Sequence, residues 1–471
     1  MHGYFKLLSR SALIAVMATA LLYAWPARAV EVSEEDFKAM QQRLKDLETK
    51  VKVMEGQLQE FRGAAPNQPR KSPTVVLGDN GLVVHSPNSN FVSYMHGYLQ
   101  VDGRFYPNAN SVNDTFLLRR VRPILEGTVY RNFDYRFMFD FGSGNGIGSS
   151  AGNNALLNDA YANVRYWRQF QIQVGKFKSP IGLERLASVA DLPFIETGFA
   201  TQLTPNYDLG VNLHNRLFNT PVNYAIGVFN GAMDAASDDQ DVSNDGKDVV
   251  GRLFFQPFLR TDQKALQKLG FGVGGSIGTQ TGPLPSYKTP GQQTFFKYAS
   301  GVAADGQQYR IDPQLYWYWG PFGILGEYVL SSQSVKGNTA GARSARFNNT
   351  GWQVEASYFL TGEENSFKPT SLIRVAPLHP LVLGELGWGA LEAAGRVHQL
   401  SLDKNALPAY VSAESAKRAT ALGVGVNWYL NRNVKFSLDY EWTKFGEGSA
   451  KPDAVTSKHE DVILTQFQLA F

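Results

Sequence analysis

A chain of 471 residues has room for two or three ordinary domains or for one large β structure, so length leaves the architecture open. It contains no cysteine, which excludes a disulfide scaffold, a thiolate metal site and a cysteine nucleophile. The formal net charge of +3 is matched by Lys6, Arg10 and Arg28 near the N-terminus, so the remainder is neutral and carries no bulk charge to attract nucleic acid.

The chain opens with a basic start, an apolar stretch from Ala12 to Trp25 that is short for a bilayer span, and small residues at Ala27 and Ala29. That pattern predicts a secretory signal peptide over residues 1–29, cleaved after Ala29. Residues 30–62 are expected to form a periplasmic coiled coil. Phe37, Met40, Leu44, Leu47, Val51, Met54, Leu58 and Phe61 follow one another by alternating steps of three and four, an a/d seam. Ser33 is expected to cap this helix, with Glu34, Glu35 and Asp36 in its positively polarised first turn. A lone amphipathic helix on a membrane or barrel is the alternative, but so narrow a stripe suits a partner helix better. Residues 63–90 read as a linker and short lead-in, since RGAAPNQPRKSP combines Pro, Gly and charge without periodicity.

From residue 91 to residue 471 the period becomes two. In FVSYMHGYLQVDGRFY, Phe91, Met95, Leu99, Val101 and Phe105 alternate with His96, Gln100, Asp102 and Arg104. In FDYRFMFDF, Phe133, Tyr135, Phe137, Phe139 and Phe141 oppose Asp134, Arg136 and Asp140. Sixteen such segments start near residues 91, 115, 133, 157, 169, 207, 222, 248, 270, 308, 322, 350, 389, 419, 433 and 461. Short turns alternate with long connections, except that 259–269 and 361–387 are long where a short turn is expected. The predicted fold is all-β, a 16-stranded antiparallel transmembrane β-barrel of a Gram-negative outer membrane, with an N-terminal α-helical coiled-coil segment. A soluble sandwich or propeller also alternates, but there is no blade-length repeat, and aromatic-rich outward faces point to lipid. The last strand ends on Phe471, which resembles the signal read by barrel-assembly machinery.

Five phrases go further: FLLRRVRPILEGTVYRNFDYRFMFDF (116–141), VGKFKSPIGLERL (174–186), GWQVEASYFLTGE (351–363), GALEAAGRV (389–397) and GVNWYLNRNVKFSLDY (425–440). Together they resemble the phosphate-selective porin family. The resemblance implies a homotrimeric sixteen-strand barrel, an inward-folded third loop, and a lumen whose arginines and lysines conduct small anions such as phosphate, with no cofactor and no covalent chemistry. The family's binding residues correspond to Arg119 and Arg120 in the phrase LRR, and to Arg185 directly after GLE.

Read from the residues, an anion filter needs cations around a narrow passage, and Arg offers a donor fork suited to phosphate oxygens. Arg119, Arg120 and Arg122 cluster on the second strand, with Arg120 and Arg122 on the lumenal face shared with Glu126 and Thr128. Parity puts Arg119 outward unless a bulge redirects it. Lys176, Lys178 and Arg185 are assigned to the long third loop. Against strict phosphate specificity, Tyr98 and Asp134 stand where phosphate-specific members carry cations, and Asp102, Asp140 and Asp159 add lumenal negative charge. A general, weakly selective porin and a structural barrel tethered by its coiled coil are the alternatives. The acidic stretch 234–248 lacks calcium-loop spacing and is expected to be a solvated loop, and no HExxH, G-x-S-x-G or phosphate-loop motif occurs.

Overall fold

The computed structural model describes residues 42–52, 72–107, 112–142, 156–167, 169–237, 245–337, 344–367, 375–382, 384, 386–404, 410–413, 415–446 and 459–471. The chain divides into two compact units, Met1–Pro69 and Arg70–Phe471. In the first, residues 42–52 are helical and the seam residues Leu44, Leu47 and Val51 are exposed. The predicted signal peptide and the remaining seam residues lie outside the described residues.

The second unit is built mainly of strands. Lead-in residues form a hairpin, β1 (Thr74–Gly78) and β2 (Gly81–His85). The wall then runs β3 (Phe91–Phe105), β4 (Thr115–Val129), β5 (Phe133–Asp140), β6 (Leu156–Val164), β7 (Gln171–Lys178), β8 (Tyr207–Arg216), β9 (Val222–Phe229), β10 (Asp248–Phe255) and β11 (Lys268–Gly282). A small hairpin, β12 (Tyr287–Lys288) and β13 (Thr294–Phe296), interrupts it. The wall resumes with β14 (Ala303–Trp319), β15 (Phe322–Lys336), β16 (Ala345–Phe359), β17 (Ala390–Ser401), β18 (Arg418–Tyr429), β19 (Val434–Gly446) and β20 (His459–Ala470). Each wall strand pairs antiparallel with its neighbours, and β20 pairs β3 from Ile463↔Phe105 to Ala470↔Tyr98, which closes sixteen strands into a barrel. Phe471 seals the seam by exchanging backbone hydrogen bonds with Gly97, both at 3.0 Å. Closure leaves no free edge in the wall, as a lipid environment requires. All sixteen predicted segments are strands, and the two long connections on the short-turn side are present, as residues 256–267 and 360–389.

Burial is inside out. Along β19, Phe436, Leu438 and Tyr440 are exposed whereas Lys435, Ser437, Asp439, Glu441 and Thr443 are buried. Water would penalise such an outer face; hydrocarbon does not. At the short-turn rim, Tyr130, Tyr166, Trp167, Trp319 and Tyr358 stand exposed as an aromatic girdle.

Candidate functional site

The connection from β7 to β8, residues 179–206, does not leave the barrel but crosses its interior. Gly182, at φ 87, turns the chain into one helical turn, Leu183–Leu186. From there the loop is fastened to the inner wall by its own backbone donors. The Gly182 amide donates to Asp312 at 2.7 Å, Leu183 to Glu327 at 2.6 Å, Ile195 to Asp439 at 2.7 Å and Phe199 to His398 at 3.0 Å. A carboxylate on each of β14, β15 and β19 thus accepts a backbone hydrogen bond from the loop. Beside it, Phe199, Phe295, Phe296, Val329, Phe347 and Leu400 form a buried apolar cluster toward the long-loop end.

Elsewhere on the wall, β3 and β4 supply cations. The β3–β4 register slips at Gln100/Val101, so that Gln100 faces Arg120 and Val101 faces Leu118, leaving Arg119 as an extra residue. This bulge lets neighbouring arginines both turn inward. Arg119 grips Glu196 of the loop with Nε at 2.7 Å and Nη2 at 3.0 Å. Arg104 reaches the same carboxylate at 3.1 Å and Arg120 at 3.9 Å, while Arg120 also donates to Gln100 at 2.8 Å. Burial raises a carboxyl pKa, yet Arg119, then Arg120 and Arg104, hold Glu196 at about 2. In the β11–β14 connection, Lys288 is pushed below the usual lysine range by burial and by Arg119 and Arg104.

Toward the short-turn end the lumen opens into a cavity of about 720 Å³. Arg122, Arg136, Lys178, Arg216 and Arg252 line it, against Asp134 and Asp159. Arg122 donates to Asp140 at 2.7 Å and to the Tyr98 hydroxyl at 2.8 Å. Arg136 bridges Glu126 and Asp159, the latter at 3.0 Å, and Asp134 pairs with Arg165 at 2.8 Å. Counting these partners, six cations meet four carboxylates. Among the described residues, no carboxylate ion-pairs with Lys178, Arg216 or Arg252.

The predicted residues therefore separate. Arg119, Arg120 and Arg122 come together as a lumenal row on β4, Arg119 through its bulge. Lys176 and Lys178 belong to β7 rather than to the loop, because antiparallel pairing with β8 continues through Lys178↔Tyr207. Lys176 is buried and shares its register with the outward-facing Leu209, away from the lumenal row. Lys178, at the strand end, donates to the Ala187 carbonyl at 2.7 Å and borders the cavity. Arg185 is on the loop as expected, but its guanidinium is engaged by the Thr201 carbonyl at 2.5 Å and Thr204 Oγ1 at 3.3 Å. None of its hydrogen bonds reaches the β4 arginines. The ends of the acidic stretch 234–248 are not solvated either: Asp234 and Asp248 are buried and clamp Arg310 at 2.7 and 3.0 Å. A single cation on a facing strand draws both carboxylates in. Sequence reading missed Arg104, Arg252 and Lys288 as possible filter cations; Arg104 had the lumenal parity, whereas Lys288 lies in a loop where parity says nothing.

Residues 94–471 match the family described as phosphate-selective porin O and P. Porin O of Pseudomonas aeruginosa is 23% identical over 417 residues, spanning 82% of this chain and 89% of that protein. Two solved structures share the fold. The outer membrane channel DcaP of Acinetobacter baumannii aligns at TM-score 0.51 and 9% identity, covering 82% of this chain and 99% of that one. Salmonella typhi OmpF, in complex with daunomycin, aligns at TM-score 0.52 and 11% identity, covering 84% and 100%. Because the family match runs from the first barrel strand to the last residue, the chain belongs to the phosphate-selective porin O and P family, a family of outer-membrane channels.

Proposed function

We propose that this channel passes small anions, phosphate-like ones included, by diffusion past a cation-rich side of its lumen. The observation that carries the reading is the cation row of β4 continuing into a cavity where Lys178, Arg216 and Arg252 have no carboxylate partner among the described residues. Arg119 and Lys288 draw anions toward the long-loop side, Arg120 and Arg122 stand along the passage, and the cavity cations receive them. No bond is made or broken, so these residues act only by field and by partial replacement of the hydration shell. Arg185 contributes by holding the inward loop at Thr201 and Thr204 rather than by meeting the ion. Homotrimeric assembly in outer-membrane lipid, cleavage after Ala29 and a periplasmic coiled coil over residues 30–62 complete the reading.

A second reading is a general, weakly selective porin. It is favoured by the carboxylates that bind Arg119, Arg122 and Arg136 and by the pairing of Asp134 with Arg165. Reversal potentials of the purified protein in a planar bilayer under a KCl gradient decide between them, with phosphate then titrated into chloride. Strong anion preference with chloride current blocked by phosphate supports the filter; weak or cationic preference supports the general porin.

A further inference from the structure

We infer that the short-turn end of the lumen contains a subsite for a flat organic anion, an aryl carboxylate, lined by Arg252 and by the ring edges of Phe254 and Tyr316. It rests on the anion-channel reading and names a solute class for it. The Arg252 guanidinium lies over the Phe254 ring, 4.6 Å from its centroid. Phe254 stacks on Tyr316 at 5.0 Å and 20°, and Tyr316 meets Phe367 at 5.1 Å. Phe254 and Tyr316 are buried with their faces packed against one another, so the row of rings meets the cavity at its edges, with Arg252 at one end.

Arg252 differs from most of the inward arginines on the wall strands. Arg122, Arg136, Arg310 and Arg396 each hold at least one carboxylate, whereas Arg252 donates only Nε, to Gln314 at 2.9 Å. Its two terminal nitrogens have no hydrogen-bond partner among the described residues, which leaves a fork matched to a carboxylate. Gln256 donates to the Tyr316 hydroxyl at 2.9 Å, fixing that ring and leaving the phenolic hydrogen to donate. Across the cavity, Lys178 lies over the Tyr207 ring at 5.8 Å and supplies a second nitrogen donor.

Size and chemistry point the same way. A cavity of about 720 Å³ is of the size that encloses organic ligands, roughly 300–1,000 Å³, and far exceeds one inorganic phosphate. Ring edges add nothing to the binding of a strongly hydrated phosphate, while they favour the face of a flat aromatic body whose charged end reaches the arginine.

The test is block of chloride current in planar bilayers by benzoate, cyclohexanecarboxylate and inorganic phosphate. Benzoate should half-block at a concentration at least about threefold below that of cyclohexanecarboxylate, its non-aromatic counterpart. Arg252→Gln should raise the benzoate value by about tenfold, and Tyr316→Leu should abolish the preference for the aromatic acid while leaving cyclohexanecarboxylate unchanged. Open-channel conductance shows that each variant is folded. Equal block by the two acids, or benzoate block that ignores both substitutions, overturns the subsite. So does phosphate blocking as well as benzoate with the same dependence on Arg252. The reversal potential in KCl separates this outcome from the reading it rests on. An anion-selective channel with equal block loses only the subsite, whereas a cation-selective channel whose benzoate block follows Arg252 keeps the subsite and loses the anion-channel reading.

Discussion

Replacing Glu196 with glutamine isolates the charge of one carboxylate with little change of shape. Glu196 is the acceptor shared by Arg104, Arg119 and Arg120, so the substitution exposes one additional net positive charge beside the passage. For a monovalent ion passing about 6 Å away under water-like screening, that charge is worth roughly 0.7 kcal/mol. The effect has opposite sign for anion and cation, so the anion-to-cation permeability ratio should rise about tenfold. Glutamine keeps one oxygen to accept from Arg119, which preserves part of the loop's anchor. The assay is the reversal potential of native and Glu196→Gln protein under one KCl gradient, with limited proteolysis of residues 179–206 as a check on the loop. An unchanged reversal potential with an intact loop would mean that ions do not pass within reach of this cluster, and the assigned route would fail.

The same carboxylate sets a pH window. Its folded pKa of about 2 lies below the usual glutamate value of 4.5, so its stabilisation is complete above about pH 4.5 and is lost as pH falls through about 2. Protease resistance of the loop should therefore hold from pH 7 to about pH 4.5 and decline below it; loosening already at pH 6 would contradict this anchor. Arg310→Met should strand Asp234 and Asp248 without a cation and destabilise the barrel by about 3–5 kcal/mol, read as a lower unfolding temperature in detergent. Native-like melting would refute the clamp. Glutamate at Leu44, Leu47 and Val51 together should abolish helix-mediated association, seen as loss of crosslinking through the N-terminal segment with conductance per barrel retained. Undiminished crosslinking would favour the lone-helix alternative.

Strand positions were legible because alternation is local. Each residue from Phe91 to Phe105, or from Val434 to Gly446, reports its own facing through its neighbours two places away. The lumenal placement of Arg120 and Arg122 followed from the same parity. Loops carry no such period. Lys176 and Lys178, at the end of β7, are therefore misread as loop residues, and Lys288 goes unnoticed beside Arg104 and Arg119. The acidic composition of 234–248 was read as solvation because its countercharge, Arg310, is remote in sequence.

By itself, the sequence determined the all-β class, the sixteen strands, which face of each meets lipid and which connections are long, since these depend on hydrophobic period and turn chemistry within a few residues. Only the tertiary structure decided which cations are neutralised and which remain available. Arg119 turns inward because two strands pair out of register, and Glu196 reaches it because a loop crosses the lumen. Among the described residues Arg252 forms no ion pair, and β14 offers it Gln314 instead. Each outcome is a contact between segments far apart in the chain, and an ion pair exists only where folding brings both charges within a few ångströms.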